Sequence, residues 1–438
     1  MKMDKSLLKK LVALAGALVF AALAGVDFYD HRHSKETVVA SDALTETHML
    51  SEWLPNLEGT YGDTPVFFFD SGVEGGTVLY VGGTHPYEPA ASLSAYTLLE
   101  NIHVQKGRVI IIPQANRSGT TTGMLGNAYP SYYELDTDWG TVKFKNGDRW
   151  ANPLDSWPDP FTYIHYPSNV ALTYQDIRNV NRCYPGRPDG SLIERVCYAI
   201  MEIIRNEGVD IAIDAHEAAV MYPVVETYVA HDRALDIAMM ASMSLSAEKF
   251  YMKCEASPKN LRGLSHREWG DFSDTLAVLM ETPQTFTDWI VGPMTKELQT
   301  IGSDEFLDVA SKKGLTYVDY NADFGTPIEY RVGRHLAGCK GLDEVVAENA
   351  ARLAEFLLGF PHDIKGGFGR PAVQRGHKAH CVVFLTIRRV YDSLVQLGLF
   401  PIDGILYAVV QPCADGEYLG VCHVTAAPRC SRSFPAPP

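Results

Sequence analysis

The sequence is poor in basic residues, in paired cysteines and in repeats. Lys and Arg total 38 against 53 Asp and Glu, for a formal net charge of -15. A nucleic-acid-binding chain shows a basic face, so that class is set aside. The acidic excess reads as solubility. The 8 cysteines (Cys183, Cys197, Cys254, Cys339, Cys381, Cys413, Cys422 and Cys430) are scattered, and none forms a Cys-x-x-Cys pair. A thiolate zinc site is therefore not expected. Export would open some of them to oxidation, and their spacing assigns no pairs. No internal repeat is visible, which sets aside repeat architectures.

What is present is apolar bulk. The chain has 438 residues, 46% of them apolar, enough for a large core. That length suits two or three domains, or one large α/β domain with insertions. The N-terminus stands apart. Lys2, Lys5, Lys9 and Lys10 precede the apolar run "LVALAGALVFAALAGV", residues 11–26. This is a charged segment followed by a hydrophobic one, with Ala22-Leu23-Ala24 as a small-residue cleavage site. Residues 1–26 read as a signal peptide or an uncleaved membrane anchor. The expected location is periplasmic or secreted, with membrane contact only through this segment. Residues 27–60 are polar and mixed, and read as a linker or stalk.

From there the pattern alternates. "PVFFFDSG" and "TVLYVGG" read as strands, and "PAASLSAYTLLENI" as a helix with Pro89 in its first turn. "RVIIIPQA", "VDIAIDAHEA" and "TLAVLMETP" are further apolar strands. "SLIERVCYAIMEIIRNEG", "RALDIAMMASMSLSAEKF" and "LDEVVAENAARLAEFLLGF" are helices. Such alternation predicts an α/β fold: a mostly parallel, mixed sheet with helices on both faces. Sites in these sheets lie at the carboxyl ends of strands. Two insertions break the rhythm, at 117–175 and 284–330. The first is long enough to act as a lid. Residues 366–438 form a C-terminal extension with short strand-like runs, possible material for a small β domain.

The strand ends carry the chemistry. "GGTHPYEPA" places His85 and Glu88 on a strand-to-helix loop, where two prolines oppose a helical pairing. His-x-x-Glu alone is a common surface pair, and a second copy, His33 and Glu36, falls in the polar segment by chance. Asp214 and His216 lie two apart on a strand, so both point the same way. Two His and one Glu, with a fourth position for water, make a catalytic zinc arrangement. Asp214 then suits a carboxylate that orients a histidine, or a solvated strand end. "RNVNRCYPG" crowds Arg178, Asn181 and Arg182 before a helix: a polar turn, or a clamp for a substrate carboxylate. Glu281 closes an apolar strand, where a carboxylate can act as general base and acid.

Taken in order, "GGTHPYEPA", "RNVNRCYPG", "IDAHEA" and "VLMETP" resemble the zinc carboxypeptidase superfamily, and within it the succinylglutamate desuccinylase/aspartoacylase branch. The resemblance covers roughly residues 60–360, two thirds of the chain. It implies a hydrolase domain over 61–365 that binds one zinc ion through His85, Glu88 and His216. Glu281 becomes the general base, and Asn181 and Arg182 the substrate-carboxylate pair. An oxyanion arginine is also implied, with Arg149 and Arg178 as candidates. The implied activity is hydrolysis of an amide in a small, carboxylate-bearing substrate, an N-acyl amino acid. The alternatives are an exported carboxypeptidase acting on short peptides, and a binding module on an inactive hydrolase fold.

Overall fold

The computed structural model describes residues 4–122, 131–137, 140–247, 251–284, 295–358 and 382–383. In chain order the strands are β1 (Glu46–Met49), β2 (Pro65–Asp70), β3 (Thr77–Val81), β4 (Val104–Lys106), β5 (Arg108–Ile112), β6 (Tyr132–Thr137), β7 (Gly140–Lys145), β8 (Tyr163–Ile164), β9 (Ala171–Leu172), β10 (Ile211–Ala219), β11 (Thr227–Ala230), β12 (Lys253–Ala256), β13 (Leu276–Gln284) and β14 (Val382–Val383). The helices are α1 (Lys5–His33), α2 (Pro89–Asn101), α3 (Pro153–Ser156), α4 (Leu192–Asn206), α5 (Leu235–Ala247), α6 (Ser265–Asp271), α7 (Lys296–Thr300), α8 (Glu305–Lys312) and α9 (Ile328–Leu358).

Eight strands form the main sheet, in the order β1-β2-β5-β3-β10-β13-β11-β12. Its centre, β5-β3-β10-β13, is parallel, while β1, β2 and β11 join antiparallel. Parallel strands covered on both faces are apolar throughout, and these are. Val78, Tyr80, Val109, Ile111 and Ile213 pack to one side with α2, α5 and α9. Leu79, Val81, Ile110, Ile112 and Ala212 pack to the other with α4. The sheet is thus the mixed, mostly parallel one expected, with helices on both faces.

α4 begins with a capping box, in which Ser191 and Glu194 bond each other's backbone N–H. The sequence pattern placed the last helix at 342, but α9 starts at Ile328. Glycines at 333, 338 and 341 weaken its helix propensity on paper. Packing compensates, because Ile328, Val332, Leu336, Cys339 and Leu342 all bury against the sheet. At Gly338 a Cβ would meet Met280 Sδ at 2.9 Å and Tyr228 Oη at 3.0 Å, so glycine lets the helix approach. Tyr228 Oη donates to the Gly338 carbonyl at 2.9 Å.

Several expectations change. The stalk expected over 27–60 is largely domain: β1 pairs with β2, and Leu50, Leu54 and Leu57 are buried. Their spacing of three to four was hidden in a polar context. The insertion at 117–175 contains the β6–β7 hairpin and the β8–β9 pair. Most of the extension at 366–438 lies outside the described residues, apart from β14 on β4. Cys183, Cys197, Cys254 and Cys339 are free thiols, and the other four cysteines lie outside the described residues. α1 runs for 29 residues and is long and apolar enough to cross a membrane.

Candidate metal and active site

β3 ends in Gly82 and Gly83, and the chain turns there. Gly83 has φ +62°, and a Cβ would sit 2.8 Å from Gln114 Cα, so this turn needs glycine. The turn carries His85 and Glu88 back over the strand ends. Glu88 is the N-cap residue of α2 but makes no side-chain cap bond, which leaves its carboxylate for the site. Glu217 serves that helix end instead, its Oε2 accepting from Ala90 N at 2.8 Å.

His85, Glu88 and His216 converge, with one ligand atom from each within 4.8 Å of the others. His85 Nδ1 lies 2.8 Å from Glu88 Oε1, and His216 Nδ1 lies 2.9 Å from Glu88 Oε2. The far ring nitrogens are also engaged. His85 Nε2 is 3.0 Å from Asn179 Oδ1, and His216 Nε2 is 3.0 Å from Asp214 Oδ2. Both far partners are acceptors, so each Nε2 carries the proton. In the neutral rings both Nδ1 lone pairs then face the Glu88 carboxylate. Two lone pairs around a buried carboxylate repel unless a cation sits among them or a ring takes up a proton, as the carboxylates beside His216 favour. This donor set fits zinc, and the histidines' outer partners are of the kind that orient metal ligands.

Burial and charge act together on these groups. Burial pushes the His85 imidazole down to about 4. At His216 burial is overcome by the Asp214 and Glu88 carboxylates, which hold its pKa well above the ordinary value. Burial opposes ionisation of Glu88, but the two imidazoles keep its carboxyl well below the usual range.

Glu281 is on β13 in register with His216 on β10. Its Oε2 is buried with no hydrogen-bond partner among the described residues. Burial, aided by the Glu88 charge, raises its carboxyl well above the usual range. A cavity of about 250 Å³ opens here, lined by His85, Glu88, His216 and Glu281 together with Arg149, Asn181 and Arg182. Asn181 Oδ1 accepts from Ser265 N at 2.9 Å, which aligns its amide group. Arg182 Nη1 bonds the Asn181 carbonyl at 2.6 Å.

The two candidate arginines separate. Arg149 lines the cavity, donates to Tyr87 Oη, and keeps a buried Nε without a partner among the described residues. Arg178 turns away: its Nε lies 3.0 and 3.1 Å from the two Asp159 oxygens, and Nη1 bonds Ala151 O at 2.9 Å. It does not line the cavity. Its guanidinium instead fastens two parts of the 117–175 insertion to the 178–182 turn.

No protein-family profile matches this chain, and no curated protein does. Solved structures do. One is a succinylglutamate desuccinylase/aspartoacylase from Rhodobacter sphaeroides, 17% identical, TM-score 0.30, covering 50% of this chain and 51% of that one. Another is a putative carboxypeptidase A from Shewanella denitrificans, 14% identical, TM-score 0.43, covering 70% and 65%. A third is a metallo-carboxypeptidase from Burkholderia cenocepacia, 11% identical, TM-score 0.40, covering 71% and 66%. The chain spans about half the length of the desuccinylase structure it matches.

Several residues of the site escape sequence reasoning. Asn179 reads as one more turn residue in "RNVNR", yet it holds His85. Tyr87, between His85 and Glu88, carries no motif of its own, yet its hydroxyl accepts from Arg149. Glu217 donates its backbone N–H to Glu88 Oε2 at 3.1 Å, and its own Oε1 accepts from Arg331 Nη1 at 2.6 Å. Arg331 is fully buried and lies 114 residues further along the chain. The only available signal was a glutamate following Asp-x-His, which asks for a buried cation somewhere. His266 also lines the cavity, its Nδ1 2.7 Å from Ser257 Oγ, and burial lowers it to about 3.

Proposed function

We propose that this chain is a zinc-dependent hydrolase that cleaves the amide bond of a small, carboxylate-bearing substrate, an N-acyl amino acid. The observation that carries this reading is the convergence of His85, Glu88 and His216 beside the half-buried Glu281, whose Oε2 has no hydrogen-bond partner among the described residues. One zinc ion held by the three ligands supplies a lowered pKa for a bound water and polarisation of a carbonyl.

The chain's own groups do the rest. Glu281, with its affinity for protons raised, accepts one from the attacking water and returns it to the departing amine. Arg149, pinned by Tyr87, faces the cavity as the donor for the charge that develops on the carbonyl oxygen. Asn181 and Arg182 hold the substrate carboxylate and so fix where the scissile bond lies. The cavity of about 250 Å³ is small beside the 300–1,000 Å³ common for ligand pockets, which favours an acyl amino acid over a long peptide.

The test is amine release by the full chain from a panel of N-acyl amino acids and short peptides, with metal content measured in parallel. Turnover of acyl amino acids supports the reading. Turnover of peptides alone, from their C-terminal end, replaces it with a carboxypeptidase. Far less than one zinc per chain after zinc is added back replaces it with a binding module.

A further inference from the structure

The end of α1 and the segment after it are built into the domain in an unusual way. The apolar part of α1 is exposed, with Leu18 63% and Phe20 75% accessible, whereas His31 is buried. Arg32 Nη2 lies 2.6 Å from Asp155 Oδ1, and its guanidinium sits 4.1 Å from the centre of the Tyr61 ring. Residues 33–36 then cross the surface as a strap with a cavity on each side. One, of about 590 Å³, includes Lys35, Arg117 and Lys145 in its wall. The other, of about 800 Å³, includes Lys35, Lys143 and Lys145.

Lys145 is the shared wall of both cavities. It is only 7% exposed, and it forms no ion pair among the described residues. A buried ammonium with no carboxylate within ion-pair distance, and only the longer-range attraction of Glu36, is costly, so the position leaves a place for a closer anion. Glu36 attracts Lys145 but is shared with other donors. Glu36 Oε2 accepts from Tyr96 Oη at 2.5 Å, and Glu36 Oε1 accepts from the backbone N–H of Lys145 at 3.3 Å. Burial also raises the Glu36 pKa, which weakens it as a charge partner.

The strap has a second property, its height. The apolar run ends at Val26, six residues before Arg32 on the same helix, a rise of about 9 Å. With α1 across a bilayer, both cavities open at the level of the lipid headgroups. Lysines at that level draw anionic headgroups.

We propose that the cavities flanking the 33–36 strap form one binding site for a phosphate-type anion, carried by a lipid headgroup or free, with Lys145 as the central cation. Lys35, Lys143 and Arg117 surround it. The site is separate from the cavity lined by His85 and Glu281.

The experiment uses the full chain in a neutral detergent and follows its melting temperature and its binding isotherm. The probes are inorganic phosphate, short-chain phosphatidylglycerol and short-chain phosphatidylcholine. Saturable binding of phosphate, of phosphatidylglycerol or of both is expected, with none for phosphatidylcholine. Binding of the lipid alone identifies the headgroup, and equal binding of inorganic phosphate identifies the free anion. Lys145→Met should weaken the isotherm about tenfold or more, the size of one charged hydrogen bond, and Lys145→Arg should retain it. Binding that is unchanged in Lys145→Met, or absent for both anions, overturns the proposal. If Lys145→Met does not fold, the double variant Lys35→Ala/Lys143→Ala decides, since unaltered affinity there overturns it equally.

Discussion

His216 and Glu281 stand opposite each other, in register, on the neighbouring parallel strands β10 and β13. Adjacent strands lie about 4.8 Å apart, and residues in register point to the same face. The proposed metal ligand and the proposed proton acceptor are thus set side by side by backbone hydrogen bonds, not by flexible loops. Ala212 on β10 and Ala277 on β13 mark that face, because both belong to the core cluster on the α4 side. Glu281→Gln preserves shape and burial and removes the proton acceptor. Turnover should fall about 10²–10⁴-fold with zinc content and melting temperature unchanged. Activity near that of the parent protein would remove Glu281 from the mechanism.

The two arginines make opposite predictions. Arg149 faces the cavity, so Arg149→Met should lower kcat about 10²–10³-fold, the loss of one charge-stabilising donor, with little change in melting temperature. Arg178 is buried against Asp159, and removing one partner of a buried pair costs about 3–5 kcal/mol. Arg178→Met should therefore lower the melting temperature clearly. Steady-state kinetics and calorimetry on both variants give the comparison, and a reversed pattern would exchange their roles.

The sheet and the placing of His85, Glu88 and His216 at strand ends were legible because both follow from short-range rules. Strand alternation gives two buried faces from one apolar run, as in Val78 and Tyr80 against Leu79 and Val81. The two-residue spacing of Asp214 and His216 puts both on one side, and the structure confirms this through their 3.0 Å contact. What stayed hidden depends on long-range partners. Nothing near Glu217 in sequence announces Arg331. Arg149 and Arg178 look alike on paper because the insertion between 117 and 175 destroys any fixed spacing to the motifs. The β1 segment was taken for stalk because Leu50, Leu54 and Leu57 declare themselves only once β1 has paired with β2.

The edge of the sheet supplies a pH prediction. His48 on β1 sits 2.8 Å from Glu46 Oε2 and 2.7 Å from Glu52 Oε2. These two carboxylates raise its pKa above the ordinary 6.5. The folded state therefore holds the proton more tightly than the unfolded one. Its stabilising contribution is complete below about pH 6.5 and is lost as pH rises through the raised value. The melting temperature of His48→Gln should lie below that of the parent at pH 6, with the gap closing towards pH 9. A gap that widens with pH contradicts the assignment, as does a His48 proton resonance titrating below 6.5.

Asn179 offers the sharpest test of the metal reading, because it neither lines the cavity nor belongs to the His85, Glu88 and His216 group. Its Oδ1 accepts from His85 Nε2 and also from Asn181 N at 2.9 Å, so one amide oxygen fixes the ring of a ligand and the start of the clamp. Without that acceptor the His85 ring is free to rotate and to change tautomer, and its Nδ1 lone pair no longer points steadily at the Glu88 carboxylate. Asn179→Ala should weaken zinc binding about 10–100-fold, the usual cost of losing an outer partner. Asn179→Asp retains an oxygen acceptor at the same place and should recover most of that affinity. Competition against a chelator measures both values without any assay of turnover. Equal zinc affinity in Asn179→Ala and the parent would mean that His85 is held by something other than this bond, and the ligand geometry drawn from it would fall.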